Sequence, residues 1–107
     1  MTKIDEITNR IAALERDIGA GDADIVRLTS EATTADASKR LDLVRQIVEA
    51  RELSRLNRLA LRTSRADLAA AQDAAERNER IARRNEMAKV IDAVEKDADA
   101  LQRSLRR

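Results

Sequence analysis

Arg51, Arg55, Arg58, Arg62 and Arg65 recur at steps of four, three, four and three residues, and no acid lies between Glu52 and Asp67. On a helix this spacing lines five guanidiniums along one stripe. Such a row can follow a phosphate backbone, because each guanidinium offers a planar fork of donors and nucleic-acid affinity rests heavily on neutralised phosphates. The same row also serves as a solvated face paired with acids of a neighbouring helix. Asp92, Glu95 and Asp99 fall within two helical turns, but Lys89 and Lys96 are interleaved, so they read as surface charge pairs and not as a metal site. Arg83-Arg84 and Arg106-Arg107 are short basic pairs of the kind that decorate helix surfaces and frayed termini.

Other chemistry is closed off by what the 107 residues lack. There is no His, Cys or Tyr, hence no imidazole general base, no thiolate nucleophile and no His or Cys metal ligand. The absence of Phe, Tyr and Trp also removes the stacking platforms used to hold single-stranded nucleic acid. The expectation is a protein that binds and does not transform: no enzyme activity, no cofactor, no metal and no small-molecule substrate.

The elements that must position these residues are helical. Twenty alanines and seventeen arginines favour helix, while the absence of Pro and the presence of only Gly19 and Gly21 deny the chain the punctuation that hairpins of strands and βαβ units need. Ile4, Ile7, Ile11, Leu14, Ile18, Gly21, Ile25, Leu28, Ala32 and Ala35 alternate steps of three and four, which is a heptad seam. The residues between them are mostly charged or small, so the apolar stripe is narrow and suits a coiled-coil partner. Thr2 followed by Asp5 forms a capping-box pattern that starts the first helix near Lys3. Gly19 and Gly21 interrupt the composition but not the register, since Ile18 and Ile25 stay seven residues apart, and a continuous helix with room for a kink or close helix approach is expected there.

A break is expected where Thr29, Ser30, Thr33, Thr34 and Ser38 crowd together, because short polar side chains compete for backbone hydrogen bonds. The spacing therefore gives a helix over 3–31, a turn over 32–37 and a long second helix over 38–106, which unbroken spans on the order of 100 Å. The second seam is less regular: Leu41, Val44, Ile47 and Val48 lead into Leu53, Leu56 and Ala60 on a rotated face, as at a stammer or a change of partner. The polar stretch 77–86 fits either a solvated helix or a reversal, the helix being preferred. Met87, Ile91, Val94, Ala98, Leu101 and Leu105 form the last regular stripe.

The fold class that follows is all-α: an elongated helical hairpin or antiparallel coiled coil, with a short first and a long second helix in one domain. The expected interface is Ile4, Ile7, Ile11, Leu14, Ile18, Ile25 and Leu28 on the first helix, with Met87, Ile91, Val94, Leu101 and Leu105 on the second. The first helix has about half the length of the second, so part of the second must seek cover from a second copy, a dimer being favoured, or from another helical protein. Charge is asymmetric beneath a net +1: residues 1–37 carry four basic and eight acidic side chains, residues 38–66 eight basic and three acidic. Antiparallel contact between these segments is steered accordingly. Acids near the N-terminus where a signal peptide has its apolar core, and no run of about 20 apolar residues, give a soluble, cytoplasmic protein as the expectation, with no membrane partner. The functional expectation is a scaffold, assembly factor or adaptor acting through helix association. The alternative is a nucleic-acid-associated protein that uses the arginine row.

Overall fold

A computed structural model describes residues 2–106, and these form two helices, α1 (Lys3–Thr34) and α2 (Ala37–Leu105), with no strand among the described residues. The start of α1 is fixed by its sequence. The Thr2 hydroxyl accepts from the Asp5 amide at 3.1 Å and the Asp5 carboxylate accepts from the Thr2 amide at 3.3 Å, so two otherwise orphaned donors are satisfied reciprocally. Asp5 and Glu6 also place negative charge at the positive end of the helix dipole.

The helix runs unbroken through Gly19 and Gly21, neither of which has positive φ. A Cβ added at either glycine would meet nothing within 4 Å. The continuous helix expected here is present, and no neighbouring atom makes the close approach that would require glycine at either position.

The bend is shorter than its polar surroundings suggest. α1 continues through Ala32, Thr33 and Thr34, and Ala35 and Asp36 make the whole link. Thr29 and Thr33 do bond to carbonyls of their own helix, at Ile25 and Ser30, yet these bonds accompany helical geometry instead of ending it. What ends α1 is Ala35, held in extended geometry at φ −80° and ψ 156°. The exposed carbonyls are covered from the other side of the bend, where Arg40 donates through Nε to the Ala32 carbonyl at 3.1 Å and through a terminal nitrogen to the Ala35 carbonyl at 2.8 Å. Asp36 starts α2 by accepting from the Lys39 amide at 2.9 Å.

The chain divides into two units, Met1–Ala71 and Gln72–Arg107. Within the first, α1 lies antiparallel against the opening half of α2 as a helical hairpin. Its best-buried cluster is Leu28, Leu43 and Ile47, with Ala32 and Ala35 packed against it beside the bend. Farther from the bend, Ile7 and Ile18 on α1 and Leu61 on α2 are buried. The second unit consists of helix alone. α2 passes through 77–86 without interruption, and every described residue from 72 to 106 is exposed.

Candidate helix-association surface

Three polar contacts along the seam and its flank mark the register of the hairpin. Ser54 Oγ donates to Asp22 Oδ1 at 3.0 Å, Arg58 pairs with the other oxygen of Asp22, and Arg65 pairs with Glu15 at 3.2 Å. Asp22 and Glu15 are seven residues apart, as are Arg58 and Arg65, so the same antiparallel pairing occurs one heptad along. Counting in heptad steps from these contacts places Leu28 against Ile47, Ile25 against Ala50, Gly21 against Ser54, Ile18 against Asn57, Leu14 against Leu61 and Ile11 against Ser64.

The seam of α2 is therefore Leu43, Ile47, Ala50, Ser54, Asn57, Leu61, Ser64, Leu68 and Ala71, all buried or half-buried and all in one unbroken alternation of four and three. This corrects the expected path through Leu41, Val44, Ile47, Val48, Leu53, Leu56 and Ala60. Of those residues Ile47 alone is buried, the others are exposed, and no stammer occurs. The reason lies in volume: large Ile and Leu side chains of α1 fill most layers, so the facing position on α2 can be Ala, Ser or Asn. Hydrophobicity concealed this seam, whereas the seven-residue spacing, followed without regard to polarity, would have found it.

The interface residues expected on α1 occupy its inward face. Ile7, Ile18 and Leu28 are buried, and Ile4, Ile11, Leu14 and Ile25 are half-buried. The arginine row lies on the flank of α2 and is exposed along its whole length. Arg58 and Arg65 are taken up by Asp22 and Glu15, and Arg55 by Glu52 within α2 at 2.6 Å. Hydrogen bonding and charge from Arg55 hold the Glu52 carboxyl below its ordinary value, and the same pairing raises the Arg55 guanidinium. Arg51 and Arg62 have no ion-pair partner among the described residues. Arg58, Arg62 and Arg65 border a shallow open depression floored by Leu61.

The second unit presents a different surface. Met87, Ile91, Val94, Leu101 and Leu105 are all exposed, from 51% at Ile91 to 78% at Leu105, and no second helix faces them within the unit. Asp92 pairs with Lys96 at 3.4 Å, and no group of three or more carboxylates placed to hold a metal occurs among the described residues. Continued in sequence past Ala71, the register of the hairpin seam reads Ala75, Asn78, Ala82, Asn85, Lys89, Asp92 and Lys96, which is largely polar. The Met87-to-Leu105 stripe keeps another register, the one that reads backward through Arg84, Arg80, Arg77 and Asp73 to Ala70, Ala66, Thr63, Leu59 and Leu56. Leu56, Leu59, Thr63, Ala66 and Ala70 are exposed on α2 of the hairpin. α2 thus carries two heptad registers, one used by α1 and one left uncovered.

No helix among the described residues is long and apolar enough to cross a membrane. No family model, curated protein or solved structure matches the chain.

Proposed function

We propose that the protein is a non-enzymatic coiled-coil interaction module, a scaffold, assembly factor or adaptor, that works by laying the second register of α2 against another helix. The observation that carries this reading is the stripe Met87, Ile91, Val94, Leu101 and Leu105, apolar at heptad spacing and exposed throughout. Apolar side chains repeating every 3.5 residues gain most of their burial only from a facing helix, which supplies the holes for these knobs. The absence of His, Cys and Tyr from the sequence supports a binding role over a catalytic one.

Replacing Ile91, Val94 and Leu101 together by Gln leaves the hairpin seam untouched. Comparison of variant and parent by sedimentation and by capture of helical partners on the immobilised protein tests the proposal. Loss of association in the variant is expected, and unchanged association in both assays would reject the reading.

The phosphate-binding alternative is the weaker of the two. Three of the five arginines already have carboxylate partners, and Arg51 and Arg62 remain. Two free guanidiniums give a small share of the phosphate contacts on which backbone affinity depends.

A further inference from the structure

We infer that the partner of this uncovered register is a second copy of the chain, paired antiparallel so that residues 87–101 of each copy cover residues 56–70 of the other. This rests on the helix-association reading above and specifies its partner. The first argument is shape. With Ala66 of one copy set against Ile91 of the second, the antiparallel count also sets Leu59 against Ala98 and Ala70 against Met87, a large residue facing a small one each time. Leu56 then meets Leu101 and Thr63 meets Val94, so each apolar position from Met87 to Leu101 finds a layer in the other stripe, while Leu105 falls opposite Glu52 beyond its end. The same holds with the copies exchanged, as a two-fold axis requires.

The second argument is charge. Between the two apolar stretches the register carries Asp73, Arg77, Arg80 and Arg84, which have no ion-pair partner among the described residues. In this alignment Asp73 of one copy faces Arg84 of the second, twice over. Arg77 of each copy meets Arg80 of the other at the axis in two like-charge layers, which Glu76 of both copies flanks. The hairpin itself shows which flanking positions pair, through Asp22 with Arg58 and Glu15 with Arg65. Carried over, that geometry brings Ile81 against Ile81 of the second copy, and on the opposite flank the same alignment sets Arg55 against Asp97. A parallel in-register pair would stack Arg77, Arg80 and Arg84 on their own copies in three like-charge layers, against two in the antiparallel pair, and would set Asp73 on Asp73 in place of Arg84.

Two flanking pairs are unfavourable, Glu76 against Glu76 at the axis and Asp67 against Glu95, and the second supplies a register-specific test. Glu95→Lys turns two repulsions per dimer into attractions and is expected to tighten the dimer by about fivefold at low salt. The chain has no cysteine, so single Ala66→Cys and Ile91→Cys chains, mixed and mildly oxidised, report the alignment directly. A dimer by sedimentation, a disulfide between these two chains and tightening by Glu95→Lys together constitute the expected result.

Self-pairing of the 87–105 stripe alone would set Val94 against Ala98 and Glu95 against neutral Gln102. Cross-linking of Val94→Cys with Ala98→Cys, with none between Ala66→Cys and Ile91→Cys, would overturn the proposed alignment. A monomer at up to about 0.1 mM would overturn the inference outright. If that monomer captured another helical protein through Ile91, Val94 and Leu101, the association reading would survive, and if it captured none, both would fall.

Discussion

The hydroxyl of Ser54 donates to the carboxylate of Asp22 across the hairpin at 3.0 Å, while Ser64, equally buried and ten residues farther along the same seam, makes no such bond. The two serines look alike in sequence and differ in what their oxygens reach. Ser54→Ala removes the bond and is expected to destabilise the hairpin by about 1 kcal/mol. Ser64→Ala removes a hydroxyl with no hydrogen bond to lose and improves helix propensity, so a neutral effect or a gain of about 0.5 kcal/mol is expected. Urea denaturation of the two variants measures the difference, and equal effects would contradict the assigned contacts.

Gly19 and Gly21 give a second prediction, since a Cβ at either meets nothing within 4 Å and both sit in regular helix. Gly19→Ala and Gly21→Ala are each expected to stabilise by about 1 kcal/mol, with the double variant near the sum. Thermal unfolding followed by circular dichroism shows this as a rise in Tm. A fall at position 21 would mean that a partner approaches its backbone.

The bend depends on one side chain. Arg40→Ala strips the Ala32 and Ala35 carbonyls of their donors, at an expected cost of about 1 to 2 kcal/mol. Lysine restores charge but not the fork, so Arg40→Lys is expected to recover part of the loss at most. Denaturant midpoints for the three proteins order the contributions.

Glu52 titrates below its ordinary value of 4.5, first because Arg55 donates to it and second because the guanidinium charge lies beside it. A depressed carboxyl contributes stability that is fully present above its unfolded value and is lost as pH falls through the lowered one. The contribution is therefore present at neutral pH and lost on the acid limb below the ordinary value, and it is small because the pair is exposed. Carbon-13 titration of the carboxyl is expected to return it to the ordinary value in Arg55→Gln, and an unmoved titration would show that Arg55 is not its cause.

The arginine row makes its own demand. Replacing Arg55, Arg58 and Arg62 by Gln removes salt-sensitive binding of DNA or RNA if the row follows phosphates. With three arginines already paired, the intact protein is expected to show little retention of duplex even at low salt, as measured by mobility shift. Tight, salt-dependent binding that the triple variant abolishes would promote the alternative.

How much of this was legible in sequence depended on how each helix uses its side chains. On α1 the seam was open to view, because Ile4 to Leu28 are bulky and their neighbours charged, and Thr2 with Asp5 announced the start. On α2 the same seven-residue period is written in Ala50, Asn57 and Ser64, small or polar residues that are acceptable there because α1 brings the volume, and in Ser54, which faces Gly21 and bonds to Asp22. The more conspicuous Leu41, Val48, Leu53 and Leu56 are exposed. The bend falls inside the expected 32–37 but is shorter, for a related reason: threonines that disfavour helix in isolation are carried through it once Arg40 satisfies the last carbonyls.

The link of only Ala35 and Asp36 also bears on how the hairpin assembles. Leu28, Leu43 and Ile47 meet across a short stretch of chain, so closing that first loop sacrifices little freedom, and each following layer then closes a loop already drawn in. Loop-closure entropy favours assembly from the hinge outward, with the tip that carries Ile4 expected to engage last. During synthesis the first limb must wait in the open, its isoleucines wet, until the ribosome has released enough of the second limb to cover them.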